Sequence, residues 1–403
     1  MRSVEEHRAA VAAIVPAPRT VELAPGLLPT LVLARDVAAP ISLPPFTNSA
    51  MDGYAVRAAD ATAGAVLPVV EDIPAGRTGV PPLAPGTAHR IMTGAVVPEG
   101  ADSIVPVENT DGGVDRVRIE AAPEPGRFFR AAGSDIAAGD LALHAGDRMG
   151  PAAVGLAAAL GLTAVPVFAP VRVAVLSTGS ELVAPGQPLQ PGQIYESNAE
   201  MLAAALIEAG AAVETLRFVE DSPRALLARV AERLANGGVD LVVTTGGVSA
   251  GAYEVVKDSL ADRGVEFTKV AMQPGMPQGC GIVALDGAPP TPFVTFPGNP
   301  VSALVSFEVF LRPALRAAMG LPPDRPRRRA RLAAPIESIP GKRQYLRGRI
   351  ERSDDGTDSV SVLGGPGSHY LRWLSQADCL LDIPPEVQNL AAGEPVDLID
   401  LDH

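Results

Sequence analysis

Cysteine is almost missing. Cys280 and Cys379 are the only two among 403 residues. They stand far apart and neither sits in a CxxC pair, so neither a disulfide framework nor a zinc cluster is indicated. Both are expected to be packed thiols. Aromatic residues make up only 4% of the chain, which leaves the cores to aliphatic side chains. No apolar run reaches the roughly 18 residues needed to cross a membrane. Met1 to Ala13 mixes Glu5, Glu6, His7 and Arg8 with alanines, where a secretory signal would carry an apolar core. A soluble, cytoplasmic protein without a membrane partner is expected. Positive charge is scarce too: 33 Lys and Arg against 46 Asp and Glu give a net charge of −13, which argues against nucleic acid as a partner. An anionic substrate would depend on local cations.

The hydrophobic share of 47% and the mean hydropathy of +0.19 allow sizeable cores. At 403 residues the chain exceeds the roughly 250 to 300 at which one core stops growing, so two to four domains are expected. With 40 glycines and 40 prolines, many turns and β-rich segments follow.

The stretch Val239 to Gly251, VDLVVTTGGVSAG, reads as a buried strand emptying into a glycine turn. Leu241, Val242 and Val243 are a continuous apolar run, as in a parallel strand covered on both faces. Thr244, Thr245, Gly246 and Gly247 then place hydroxyls and open N–H groups at the carboxyl end, where open α/β sheets bind ligands. Ser249 follows on the same turn. Two further segments repeat the plan. Val171 to Glu181 ends in Ser177, Thr178, Gly179, Ser180 and Glu181. Phe293 to Ala303 runs through Phe296 into Pro297, Gly298, Asn299 and Pro300, with Asn299 as N-cap and Pro300 as first helical residue, so that helical N–H groups are expected to be free for an anion. Any one of these is equally an ordinary strand-to-helix turn. Three on one sheet edge suggest a phosphate-binding crevice.

Taken in order, residues 1–45 begin helical and become proline-rich, and with 137–170 they are expected to form an elongated N-terminal, dimerising domain. Residues 46–136 read as an inserted β-rich domain in which Asp52-Gly53 signals a tight hairpin. Residues 171–325 alternate strands and helices, which predicts a doubly wound parallel sheet. Asp221 sits at a carboxyl strand end there, and Ser222 caps the next helix. The basic run Arg325 to Arg331 reads as a solvated linker or strand edge. Residues 326–403 alternate as β segments, a small C-terminal β barrel or sandwich. The fold class is therefore mixed α/β and β, multidomain.

The combined motifs SAMDGYAV (Ser49 to Val56), RIMTGAVVPEGAD (Arg90 to Asp102), STGSEL (Ser177 to Leu182), TTGGVSAG (Thr244 to Gly251), PGNPVSA (Pro297 to Ala303) and GSH (Gly367 to His369) resemble one family, the molybdopterin molybdenumtransferases, to which the C-terminal domain of gephyrin is related. The resemblance implies a homodimer that consumes adenylyl-molybdopterin and molybdate, releases AMP with help from Mg²⁺, and makes transient contact with the molybdopterin adenylyltransferase. It implies catalytic roles for Asp52, Asp135, Glu181 and Asp221, and metal binding by Glu181, Asp221 and Glu254. For substrate contacts it points to Thr93, Ser177, Thr178, Gly179, Thr245, Gly246, Gly247, Ser249, Pro297, Gly298, Asn299, Arg347 and Ser368. The chemistry agrees: cleaving a phosphoanhydride needs carboxylates for the metal and N–H-rich turns for phosphates.

Two departures stand out. Glu254 is a methylene longer than the aspartate of many relatives. Gln273 and Met276 occupy the places of two lysines in a KPGKP turn, leaving Lys269 and Arg347 as the nearby cations. Two other functions remain open on sequence grounds. One is adenylylation of molybdopterin by ATP, although stand-alone adenylyltransferases lack the SAMDGYAV domain and the C-terminal barrel. The other is a non-catalytic pterin-binding scaffold.

Overall fold

The computed structural model describes residues 1–218, 222–247, 255–352 and 358–401. The chain divides into two compact units, one made of Glu22–Pro29 and Leu33–Pro166, the other of Met1–Val21, Thr30–Val32 and Val167–His403.

In the unit 33–166 a five-stranded sheet runs in the order Ser103–Pro106, Gly53–Val56, Ala88–Ile91, Val66–Ile73, Arg116–Arg118. Both of its faces are buried: Tyr54, Val56 and Val105 fill one cluster, and Ala55, Ile91 and Ile104 fill another. The hairpin expected at Asp52-Gly53 is absent. Strand Gly53–Val56 pairs antiparallel with Ala88–Ile91 and Ser103–Pro106, whereas Asn48–Ser49 pairs with Phe129–Arg130. Glycine serves close approach here, because a Cβ at Gly53 would lie 2.0 Å from the Val105 carbonyl oxygen. Helix Pro151–Ala159 starts at a proline, as its sequence predicts.

The other unit holds the α/β sheet, in the order Ala212–Phe218, Arg172–Thr178, Leu241–Thr245, Thr291–Phe296, Pro277–Val283, Val265–Lys269. The first four strands are mutually parallel. Pro277–Val283 runs antiparallel to both of its neighbours, a departure from the all-parallel expectation. Only residues 270–276 join Val265–Lys269 to Pro277–Val283, too short a link for the crossover that a parallel pair requires. Helices cover both faces. Ala199, Leu202 and Leu206 pack on one side with Val173, Val175 and Val243, and Leu226, Val230 and Leu234 on the other with Ala174 and Val242.

Helix Val4–Ile14, closed by a Ser3–Glu6 capping box, buries Val4 and Val11 in the first of these cores. The first residues are thus held with the α/β sheet.

Five strands close into a C-terminal barrel: Arg343–Glu351, Ser359–Val362, Arg327–Leu332, Pro395–Asp400 and Cys379–Ile383, the last pairing back onto the first. The basic run is one of its staves. Arg327 pairs with Asp382, Arg328 with Asp400 and Arg329 with Asp397, while Ala330 and Leu332 alternate into the barrel core. Cys280 and Cys379 are both buried and free, and burial pushes both thiols up from their ordinary pKa.

Candidate functional site

Strands Arg172–Thr178, Leu241–Thr245 and Thr291–Phe296 lie side by side and parallel, so their carboxyl ends emerge together. The turns that follow line one cleft of about 670 Å³. Thr178 and Glu181 come from the first turn, Gly246 and Gly247 from the second, and Pro297, Gly298 and Asn299 from the third. The rest of the wall is supplied by Ile194, by the segment 272–277, by Ser302, and by Lys342, Pro366 and Ser368. Among its described residues the cleft presents backbone groups of glycine turns, hydroxyls, the Glu181 carboxylate and the Lys342 ammonium.

The two glycine turns touch. A Cβ on Gly298 would sit 3.3 Å from the Gly246 Cα, and Gly246, at φ +87°, donates its N–H to the Phe296 carbonyl at 3.2 Å. Thr245 is buried and acts inward: its hydroxyl donates to the Pro297 carbonyl at 3.3 Å and accepts from Asn198 Nδ2 at 3.1 Å. The same amide donates to the Gly298 carbonyl at 2.6 Å. Asn198 therefore clamps the second turn to the third. Ser177 is also buried and stands outside the cleft lining, and Gly179 lies against the Glu181 carboxylate, 2.6 Å from where a Cβ would be.

The third turn departs from expectation in one respect. Asn299 precedes helix Pro300–Ser306 without a side-chain capping bond, and the Val301 N–H is already donated to the Ser368 carbonyl at 3.1 Å. That contact docks the barrel loop Gly364–Tyr370 on the helix start.

Arg347 is committed to the same loop. Its buried guanidinium donates to the carbonyls of Leu363 at 3.3 Å, Gly367 at 2.7 Å and Gly365. It stands outside the cleft lining and holds that loop in place. Lys269 is exposed and stands outside the cleft lining.

The wall around Gln273 and Met276 is rigidly held. Gln278, buried, donates through Nε2 to the Gly275 carbonyl and to Ser306 Oγ, both at 2.6 Å, and Ser306 Oγ donates to the Ser302 carbonyl at 2.7 Å. Asn198, Gln278 and Lys342 carry no local motif: Asn198 and Gln278 hold the turns behind the cleft through partners such as Gly298 and Ser306, and Lys342 lines it.

In the unit 33–166, Asp52 and Thr93 meet on the surface. Asp52 Oδ1 accepts the Thr93 N–H at 2.6 Å and the Thr93 hydroxyl at 2.8 Å. These two bonds hold the exposed carboxyl below the usual carboxylate range. Asp135 is exposed, its backbone N–H bound to the Leu43 carbonyl at 3.0 Å. Asp221, Ser249 and Glu254 lie outside the described residues. Among the described residues no three His, Cys, Asp or Glu side chains gather to hold a metal ion, and no helix is long and apolar enough to cross a membrane.

Comparison with known proteins agrees with this architecture from end to end. Residues 2–161 match the MoeA N-terminal region (domain I and II), 174–317 a probable molybdopterin binding domain, and 329–401 the MoeA C-terminal region (domain IV). The chain is 55% identical to molybdopterin molybdenumtransferase 2 of Mycobacterium tuberculosis, with 100% of each chain covered. It is 39% identical to molybdopterin molybdenumtransferase 1 of the same organism, over 99% of this chain and 98% of the relative. Among solved structures it resembles the molybdopterin biosynthesis moeA protein from Pyrococcus horikosii, with a TM-score of 0.76 and 30% identity over 100% of this chain and 99% of that one. A match of this length and identity leaves one assignment: the chain belongs to the MoeA family of molybdopterin molybdenumtransferases.

Proposed function

We propose that this protein inserts molybdenum into molybdopterin, taking adenylyl-molybdopterin and molybdate and releasing AMP. The observation that carries the reading is the convergence of three polar, glycine-bearing strand ends on one cleft whose far wall is the Ser368 loop of the barrel. Such a cleft suits a substrate with phosphates at one end and an oxyanion at the other. The N–H groups of Gly247 and Gly298, which border the cleft, are assigned to phosphate oxygens. The Thr178 and Ser368 hydroxyls are additional donors. Asn198 and Thr245 keep the turns at fixed separation, so little reorganisation accompanies binding.

Glu181 lines the cleft as an exposed carboxylate. A hard cation that keeps several waters and takes one or two carboxylates plus substrate phosphate suits that donor set. Glu181 would hold Mg²⁺, with Asp221 and Glu254 as further candidates. When bound, the ion would neutralise charge developing on the phosphoanhydride. Asp52, kept ionised by Thr93, is assigned a catalytic role, and so is the exposed Asp135. The assembly is a homodimer formed through residues 1–45 and 140–170, within a four-domain division at residues 46, 137, 171 and 326. Its setting is the cytoplasm, with transient contact to the adenylyltransferase.

Purified protein supplied with adenylyl-molybdopterin, Mg²⁺ and graded molybdate tests the reading. AMP release that rises with molybdate is expected. Formation of adenylyl-molybdopterin from ATP would transfer the protein to the preceding step, and pterin binding without turnover would make it a scaffold.

A further inference from the structure

Behind the cleft, buried oxygens of Glu196 (Oε2), Asn198 (Oδ1) and Ser177 (Oγ) have no hydrogen-bond partner. The fold gathers them at one place. Ser177 and Thr245 are register partners on adjacent parallel strands, and alternation along each strand puts both on the sheet face that carries Val173, Val175 and Val243. Helix Asn198–Glu208 covers that face through Ala199, Leu202 and Leu206. Its amino end is pinned there by the bond from Asn198 Nδ2 to the Thr245 hydroxyl at 3.1 Å. Glu196 arrives at the same end: its N–H donates to the Val183 carbonyl at 2.9 Å, and its Oε1 accepts the Ala199 N–H at 2.9 Å.

The free atoms are acceptors. Asn198 Nδ2 is committed to Thr245 and Gly298, which fixes the amide and leaves Oδ1 as the unused acceptor. Glu196 is 5% exposed, and among the described residues no Lys, Arg or His pairs with it. Burying a carboxylate without a counter-charge is costly, and a helix start offsets only part of that cost. Each such orphan calls for a ligand or another specific cause. A carboxylate, an amide oxygen and a hydroxyl are the donors that hard cations take. With one carboxylate in the set, a single positive charge neutralises it. A water molecule would satisfy the lone pairs and leave the charge uncompensated.

We propose that Glu196, Asn198 and Ser177 hold an alkali-metal cation, sodium or potassium, between the sheet and the amino end of helix Asn198–Glu208. None of the three lines the cleft, and Glu181, the carboxylate assigned to Mg²⁺, takes no part. The ion acts from behind: it holds the Asn198 amide, and with it the second and third turns, in the bonded arrangement. The site stands apart from the function proposed above, so its test needs no turnover.

Purified protein is melted in KCl, in NaCl and in choline chloride at equal ionic strength. At least one of the two metal ions is expected to raise the melting temperature by roughly 2 °C or more over choline, saturably. The more effective ion is the ligand. The shift is expected to vanish in Glu196→Gln, whose side-chain carbonyl still accepts the Ala199 N–H while the charge is gone. Ser177→Ala is expected to raise the half-saturating ion concentration about tenfold. Equal melting temperatures in all three salts, or a shift that survives in a folded Glu196→Gln protein, overturn the proposal and leave a buried water as the ligand. Should Glu196→Gln fail to fold, an unchanged half-saturating concentration in Ser177→Ala overturns it instead.

Discussion

Asp52 shows what a single exposed carboxylate can be held to do. Both of its hydrogen bonds come from Thr93 and both end on Oδ1, so Asp52→Asn keeps an acceptor in place while removing the charge. Turnover is expected to fall roughly 10²-fold or more with the melting temperature unchanged. A large drop in melting temperature instead would make Asp52 a structural turn residue. His7 is the opposite case, a titratable ring held neutral. It packs edge-on against Phe310 with ring centroids at 4.7 Å, and burial together with the nearby Arg2 charge lowers its pKa to about 4. The folded value lies below the ordinary 6.5, so between about 4 and 6.5 the unfolded chain binds the extra proton. The stability that neutral His7 contributes is complete above that window and is lost as pH falls through it. The loss amounts to about 3 kcal/mol at most. Melting temperatures measured at descending pH should drop more steeply for wild type than for His7→Leu across this window, and parallel curves would contradict the assignment.

At the scale of elements, the three crevice turns were legible because each couples an apolar strand to polar, glycine-bearing residues within a few positions. Local physics suffices there. The strand Gly53–Val56 was legible as a strand, but its partners were not, since Asp-Gly is equally compatible with a tight turn and with glycine chosen for close approach. The contact that decides, Gly53 against Val105, joins residues far apart in sequence. Gly53→Ala should therefore destabilise the unit 33–166 by about 1–3 kcal/mol. Gly155→Ala, in the middle of helix Pro151–Ala159 with nothing within 4 Å of the added Cβ, should stabilise the same unit by about 0.5–1 kcal/mol. Thermal unfolding of the two variants checks both signs. The approach of Lys342 Nζ to Met276 Sδ, 3.9 Å, escaped a sequence reading for a similar reason: it arises from a parallel pairing between Gln273 and Gln344, which leaves no periodic or motif signal. Arg347 was legible as a cation near the loop, whereas its engagement by three carbonyls depends on how Gly364–Tyr370 folds back.

Across the whole molecule, the mixed sheet and the closed barrel belong to one compact unit, and the proposed chemistry is located at the carboxyl edge of that sheet, where the Ser368 loop of the barrel meets it. That location is the central claim. Anomalous diffraction at the molybdenum edge, from crystals of the active protein soaked in molybdate, tests it most directly. The account predicts a peak inside the cleft, bordered by Gly246, Gly298 and Ser368. A peak elsewhere on a protein that turns over, with none in the cleft, would contradict it.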